Sequence, residues 1–399
     1  MFCEESNQYI KVIQLMKVDR DNDLIVIGYE HHNTIGAIRA TRDIDANVYF
    51  ISIAQMGKPR YVGKSNSIKR HNYFEASNEN QAINILKSLP LKGKKHVVVS
   101  CGDKLSHVID IRYEELSKLF ILPNINHTQG KLSALQSKAT MCEIVERYGV
   151  RIPQSLIYNV QQDNLCDLDI QYPCFIKAIS STEGPKDLNV YTDLESLSRG
   201  VNELSKACEI IQIQEFIKKD KEIIVLGCAD GNGNVCLPCM IDKYRQWPPK
   251  VGGTTYGLVT PRLERCVNPE LISRIVAEIK YSGVFSFEFI IKDNKLYFIE
   301  TNFRNDATGY SSVYGGVNLI NMWYRSVIGL PVNWNLRVSR EYMVMSDLND
   351  INNAIHFQVP VIQWLYEFIT AQVKFYWDKA DMKPFFSYLI SRAKSKLFN

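Results

Sequence analysis

The sequence predicts a mixed α/β (α+β) protein, and three patterns carry that reading. The first 125 or so residues alternate apolar strands with helical stretches, as in "DLIVIGYEHHNTIGAIRATRD" and "HVVVSCGDK", the pattern of an α/β domain. A helical stretch then gives way at Gly149 and Pro153 to a series of short strands. That series ends in "FSFEFIIKDNKLYFIETNFRND", residues 285–306, whose period-two alternation reads as a hairpin.

In the N-terminal part, residues 1–125, "YEELSKLFILP" predicts a helix leading to Pro123. No GxGxxG fingerprint is present. His31 and His32 stand at the end of the first strand, where ligands approach open α/β sheets; a solvated loop accounts for them as well.

The second part, residues 126–330, opens with "KLSALQSKATMCEIVERYGVRIPQSLIYN". "YPCFIKAISSTEGPKDLNVYTD" then reads as a strand ending in Lys177, a Ser/Thr/Gly loop, and a further strand with Lys186 nearby. "IIQIQEFIKKDKEIIVLGCADGNGNVCLPCMIDKYRQ" gives three strands, the last two joined by the turn "DGNGN". A small, lid-like unit is expected over about 150–214, and "PELISRIVAEIKYSG" predicts the helix before the hairpin.

The hairpin carries charge where a core strand would carry Val or Leu. Ser286, Glu288 and Ile290 share one face and Phe285, Phe287, Phe289 and Ile291 the other, while Glu300, Asn302 and Arg304 share a face of the second strand. A two-residue loop at Asp293 and Asn294 would put the two acids on opposite faces. A three-residue loop, Asp293 to Lys295, sets Glu288 across from Glu300 and Ser286 across from Asn302, and that register is the expected one. Facing carboxylates repel unless something positive lies between them. Magnesium suits such a site, since it takes one or two carboxylates together with substrate phosphates; a solvated strand face is the alternative.

Composition sets the outer limits. The 399 residues are 46% hydrophobic and 23% charged, ordinary for a globular chain of two or three domains. The net charge of +4 is too small to point to a nucleic-acid partner. Glu4 and Glu5 stand where a signal peptide would be basic, and no apolar run reaches the length of a membrane span, so a cytoplasmic protein with ten reduced cysteines is expected. "CLPC", Cys236 to Cys239, lies on a strand where positions three apart face opposite ways, which favours burial over metal ligation.

In its order of motifs the chain resembles the ATP-grasp superfamily, and within it the carboxylate-amine ligases similar to D-aspartate ligase. The resemblance rests on Lys138 before the lid-like unit, Lys177 at a strand end, the acidic hinge "QEFI", Glu222 seven residues on, and the closing pair "FEF…IETNFR". It is strongest over residues 130–330. It implies an N-terminal α/β pre-ATP-grasp domain, a two-subdomain ATP-grasp fold, and ATP with Mg2+ as cofactors. Lys138 and Lys177 resemble the ATP-phosphate lysines, and Lys186 is placed in the nucleotide site with them. Glu215, with the backbone of Phe216 and Ile217, resembles the hinge that binds adenine, and Glu222 the acid that accepts from the ribose hydroxyls. Glu288, Glu300 and Asn302 resemble the magnesium ligands, and Arg304 the group that stabilises charge on the transferred phosphoryl or the acyl phosphate. The loop between Lys177 and Lys186 has a single glycine, Gly184, fewer than many members carry over the phosphates.

The implied chemistry joins a carboxylate to an amine through an acyl phosphate, releasing ADP and phosphate. "DKYRQWPPKVGGTTYG", residues 242–257, is the expected substrate loop, with Lys243 and Arg245 on one strand face to bind a carboxylate and Gly252 and Gly253 allowing close approach. Two other functions remain open: ATP-grasp chemistry on another acceptor, as in a carboxylase, and nucleotide binding without catalysis. Residues 331–399 are expected to be a helical extension. Within it "MKPFFSYLISRAKSKLFN", residues 382–399, has apolar positions at Phe385, Leu389, Ala393 and Leu397 and basic residues without acids. The helix either packs on its own domain or makes peripheral membrane contact, which would suit an acceptor such as a cell-envelope or polysaccharide precursor.

Overall fold

The computed structural model describes residues 22–54, 59–136, 138–178, 189–206, 208–249, 252–263 and 267–397. The first sheet is parallel, with strands β1 (Leu24–Tyr29), β2 (Val48–Ile53), β3 (Tyr73–Ala76), β4 (His96–Cys101) and β5 (Phe120–Ile121) in the order β3-β2-β1-β4-β5. Its strands read as unbroken apolar runs because helices cover them: α1 (His32–Ala40), α2 (Glu79–Ser88) and α3 (Asp103–Asp110) follow β1, β3 and β4. The helix expected from "YEELSKLFILP" is a single turn, Tyr113–Leu116; the β-rich end of that stretch becomes β5.

A short strand β6 (Asn124–Ile125) and helices α4 (Lys131–Gln136) and α5 (Lys138–Arg147) lead to a three-stranded antiparallel sheet of β7 (Ser155–Asn159), β8 (Cys174–Ala178) and β9 (Ile210–Glu215), order β7-β9-β8. Helix α6 (Leu194–Leu204) packs on it through Leu197 and Val201, and its start is fixed by Asp193, whose side chain accepts from Ser196 N–H at 2.8 Å.

The largest sheet runs through β10 (Lys221–Asp230), β11 (Val235–Trp247), β12 (Gly253–Thr260), β13 (Tyr281–Lys292) and β14 (Lys295–Asn302) in the order β14-β13-β10-β11-β12. Helix α7 (Pro269–Glu278) precedes β13, capped by Asn268 and opened by proline at its first turn. Phe285, Phe287, Phe289 and Phe298 fill one face of the hairpin in a core shared with α5 and α7. A bulge displaces the expected alternation in β11: Leu226 pairs with Cys239 but Cys228 with Cys236. The extra residue turns both cysteines into one core instead of onto opposite faces, and both are buried.

Helix α8 (Leu319–Val327) precedes the C-terminal region, which has the expected helices, α9 (Asp347–Ile355), α10 (Val361–Thr370) and α11 (Lys383–Leu397). It also adds two strands, β15 (Tyr342–Met345) and β16 (Val373–Lys374), beyond β12 in the large sheet. Helix α11 packs through Phe385 and Tyr388 and leaves Leu389 and Ala393 exposed, so the expected four-residue stripe is not the buried face.

One buried cation ties this region to the first sheet's layer. Arg39 of α1 donates to Asp381 Oδ2 (3.0 Å) and to the carbonyls of Phe375 (2.9 Å), Tyr376 (2.9 Å) and Asp381 (3.0 Å), with no exposed side-chain surface. Removing one member of a buried, fully bonded ion pair leaves the other uncompensated. Arg39→Met is therefore expected to lower unfolding free energy by about 3–5 kcal/mol in urea denaturation, whereas Arg60→Met, from an exposed pair with Glu75, costs no more than about 1 kcal/mol.

Candidate active site

The β13–β14 hairpin positions the two acids by a route the sequence does not announce. Asp293 and Asn294 both take positive φ, 47° and 56°, the left-handed conformation that Asp and Asn tolerate and a two-residue type I′ turn needs. Lys292 therefore pairs with Lys295, and the expected three-residue loop is not formed. Carried on without interruption, that register would put Glu300 on the wrong face. A β-bulge intervenes: Phe289 pairs with Phe298, whereas Glu288 pairs with Glu300, leaving Ile299 as the extra residue. Glu288 faces Glu300 and Ser286 faces Asn302 after all.

Around the pair lies a connected set of polar groups. Asn302 Nδ2 donates to Glu288 Oε1 (3.1 Å) and Ser286 Oγ (3.2 Å), and its Oδ1 accepts from Arg304 Nη2 (2.9 Å). Burial, and after it the facing charge of Glu300, push the Glu288 carboxyl up to about 8, with Lys243 pulling the other way. Arg304 also grips both oxygens of Asp103, at the start of α3, at 2.7 and 3.0 Å. Burial alone would lower the Arg304 pKa, but Asp103, Asp306 and Glu300 hold it above its ordinary value. Asp306 is buried, accepting from Ser286 Oγ (2.8 Å), Thr308 N–H (2.7 Å) and Thr308 Oγ1 (2.6 Å).

On the other side of the hairpin, Glu222 of β10 receives both Lys219 and Lys243. Burial opposes ionisation of Glu222, yet the two ammonium groups outweigh it and keep the carboxyl below its usual range. Lys177 sits on β8 and donates to Gln214 Oε1 at 3.2 Å. Glu215 holds the end of β9 to the preceding chain, its Oε2 accepting from Gln154 N–H at 3.1 Å. Phe216 N–H donates to Pro173 O at 2.7 Å, so at the expected adenine hinge that donor is taken, leaving the Phe216 carbonyl and the backbone of Ile217. The Lys138 side chain and the whole of Lys186 lie outside the described residues.

Arg245 needs correction. The β11–β12 pairing is irregular on both sides of it, Lys243 opposing Gly257, Arg245 opposing Tyr256 and Gln246 opposing Thr254. Its guanidinium is bound by Asp350 (3.2 and 2.7 Å) and Glu367 (2.7 Å) and lies 4.2 Å from the Tyr256 ring centroid. Lys243 belongs to the charged centre; Arg245 anchors α9 and α10 to the sheet, so the two do not form a joint carboxylate clamp.

Beside Arg304 opens a cleft of about 350 Å³, lined among others by Tyr29, Glu30, His31, Cys101, Gly102 and Arg304. It lies beyond the carboxyl ends of β1 and β4, the adjacent strands at which the order of the parallel sheet reverses. His31 Nδ1 accepts from Asn33 N–H (3.2 Å), which leaves the proton of the neutral ring on Nε2. The surrounding protein, and then Arg304, hold the His31 pKa below its usual range. Glu30 is turned to the protein, accepting from the N–H groups of Tyr61 (2.7 Å) and Val62 (2.8 Å) and from Ser52 Oγ (2.7 Å).

Sequence reading missed Asp103, Asp306 and Lys219. Asp306 closes the quoted hairpin stretch, two residues after Arg304, and Asp103 follows a glycine at a strand end; nothing in local spacing couples Asp103 to Arg304, which it reaches across 201 residues.

The ATP-grasp domain family matches residues 143–317. D-aspartate ligase of Enterococcus faecium (strain Aus0004) is 24% identical over 248 residues, 57% of this chain and 58% of the ligase's length. The fold resembles an L-amino acid ligase from Bacillus licheniformis (TM-score 0.57, 15% identity, 81% of this chain and 79% of that one). It also resembles an N5-carboxyaminoimidazole ribonucleotide synthetase solved as its ADP complex (TM-score 0.61, 15% identity, 86% and 87%). The matched family model, the order of sheets and the charged hairpin agree on an ATP-grasp domain at residues 143–317, in a fold shared with these solved structures.

Proposed function

We propose that this protein is an ATP-dependent carboxylate-amine ligase, using Mg2+ and forming a carbon-nitrogen bond through an acyl phosphate. The observation that carries the reading is the facing pair Glu288 and Glu300, joined through Asn302 to Arg304 at the edge of the cleft. The donor set fits a divalent cation: two carboxylates and an amide oxygen, all hard oxygen ligands. The raised Glu288 pKa is the cost of burying that carboxyl and setting it against Glu300, and a cation there would offset it. Among the described residues no cluster of three His, Cys, Asp or Glu offers an alternative metal site. Bound magnesium would neutralise phosphate charge and hold the nucleotide against the hairpin.

The chain's own groups then have distinct tasks. Lys177 supplies a point charge to the phosphates. Glu222, already held by Lys219 and Lys243, keeps one acid beside the nucleotide ionised, as acceptance of ribose hydroxyls requires. Arg304, fixed by Asp103 and Asn302, directs positive charge at the rim of the cleft where the substrate carboxylate would lie. The carboxylate attacks the γ-phosphate and ADP leaves; the amine then attacks the acyl carbon, phosphate leaves, and the amine proton passes to solvent. His31 offers an N–H to the cleft and is not set up as the base. A cell-envelope or polysaccharide precursor is the acceptor class we favour.

A phosphate-release screen crossing amino acids with uronic-acid and peptide acceptors tests the reading. Release that needs both a carboxylate and an amine supports a ligase; ATP binding without turnover across the panel would favour a sensor, and bicarbonate as the required acid a carboxylase. Glu300→Gln is expected to cut turnover by about a hundredfold or more while circular dichroism stays unchanged, and near-normal release would remove the metal assignment. For Lys177→Ala, ATP affinity is expected to fall at least about tenfold with the acid substrate's affinity little altered; equal losses would mean the lysine is misplaced. The Glu288 shift gives a pH test without nucleotide. The unfolded carboxyl ionises near about 4.3 and the folded one near about 8, so the folded state keeps a proton that the unfolded state loses. Wild-type stability therefore falls as pH rises through that window. Glu288→Gln should gain melting temperature relative to wild type as pH goes from about 5 to 8.5; a constant difference contradicts the assignment.

A further inference from the structure

Away from the charged centre, α10 presents an apolar surface that nothing among the described residues covers. Phe357 is 91% exposed, Ile362 83% and Ile369 75%, with Val361, Leu365 and Tyr366 exposed beside them. Contiguous exposed apolar surface on this scale marks an interaction face. The aromatic chain extends it to α11: the Trp377 ring lies 6.2 Å from Phe368 of α10 and 6.3 Å from Phe386, next to exposed Leu389 and Ile390.

The charges around this face are sorted by sign. Glu367, the one acid of α10, turns inward to Arg245 at 2.7 Å. Asp378 and Asp381 likewise turn inward, to Arg42 at 2.8 Å and to Arg39 at 3.0 Å. Lys379 and Lys383, interleaved with them in sequence between Trp377 and Phe385, are exposed. The outward face thus combines an uncharged apolar tip, aromatic rings and a basic rim.

We propose that this face docks on an anionic lipid membrane, α10 and Phe357 entering the headgroup boundary and Lys379 and Lys383 meeting lipid phosphates. Apolar burial plus basic attraction are the two contributions that hold a peripheral protein to such a surface. Phe357 follows α9 with a φ of 57° and is almost fully exposed, which leaves its ring free to enter a soft lipid boundary. A second copy on the same face would set two basic rims side by side without counter-charge. No helix among the described residues is long and apolar enough to cross a membrane; docking is peripheral. His356 stacks on Trp247 at 4.8 Å, so the docked face adjoins the β11–β12 connection, and the proposal stands whether or not the ligase reading does.

The test is co-sedimentation of the intact chain with phosphatidylglycerol–phosphatidylcholine vesicles and with phosphatidylcholine vesicles alone. Binding to the mixed vesicles is expected, at least about tenfold weaker to the neutral ones. Ile362→Glu with Ile369→Glu should abolish it, and Lys379→Glu with Lys383→Glu should remove its salt sensitivity. These exposed positions are outside the nucleotide site, so unchanged ATP binding certifies each variant as folded. Vesicle binding unaffected by the Ile pair, no binding of the wild-type chain to either vesicle, or a dimer in sedimentation velocity that the Ile pair dissociates would each overturn the proposal.

Discussion

Two carboxylates facing each other in half-buried surroundings are an unstable arrangement, and the centre of this molecule is organised around keeping Glu288 and Glu300 together. Burial, and after it repulsion from Glu300, hold Glu288 largely protonated near neutral pH. The remaining groups limit that cost. Asn302 donates to Glu288, Lys243 lowers its pKa, and Arg304 faces Asn302 from the far side. Each of these is itself held by an acid, Lys243 by Glu222 and Arg304 by Asp103. The result is a lattice of alternating charge around the two acids.

That lattice explains why the layers are joined as they are. Asp103 belongs to the first sheet's layer and Arg304 to the segment after the hairpin, so their bidentate contact fixes one against the other. Nearby, Asn33 Nδ2 donates to Asn305 O at 2.8 Å and Asn305 N–H to Ser100 O at 3.2 Å. The apolar residues of β1 and β4 share a core with those of β10, β11 and α8. The cleft therefore has rigid walls on both sides, as positioning chemistry requires. Arg39 and Arg245 do for the C-terminal segment what Arg304 does here, each anchoring a helix-bearing stretch through buried carboxylates.

Much of this was legible in residue order. Strand alternation located the hairpin and its facing acids, and glycine and proline preceded the three-stranded sheet as expected. The misread strand pairings share one cause: period-two reasoning assumes unbroken ladders, and this sheet is interrupted by bulges at Ile299, between Cys236 and Cys239, and around Arg245. At Ile299 the interruption happened to cancel a wrong loop length, so the right pairing followed from the wrong turn. At Arg245 it separated two cations that simple alternation placed together. Asp103 was invisible for a different reason, since pairing across the fold leaves no trace in local spacing.

The claim at the centre is that the acid pair exists to hold a divalent cation beside bound nucleotide. Electron paramagnetic resonance of Mn2+ titrated into the intact, ADP-saturated chain measures this directly, by comparing wild type with the doubly substituted Glu288→Gln, Glu300→Gln protein. Bound manganese of at least about one per chain in wild type, lost in the variant while ADP still binds, is the predicted result. Equal manganese binding by both proteins would contradict it, and would leave the facing acids without a purpose.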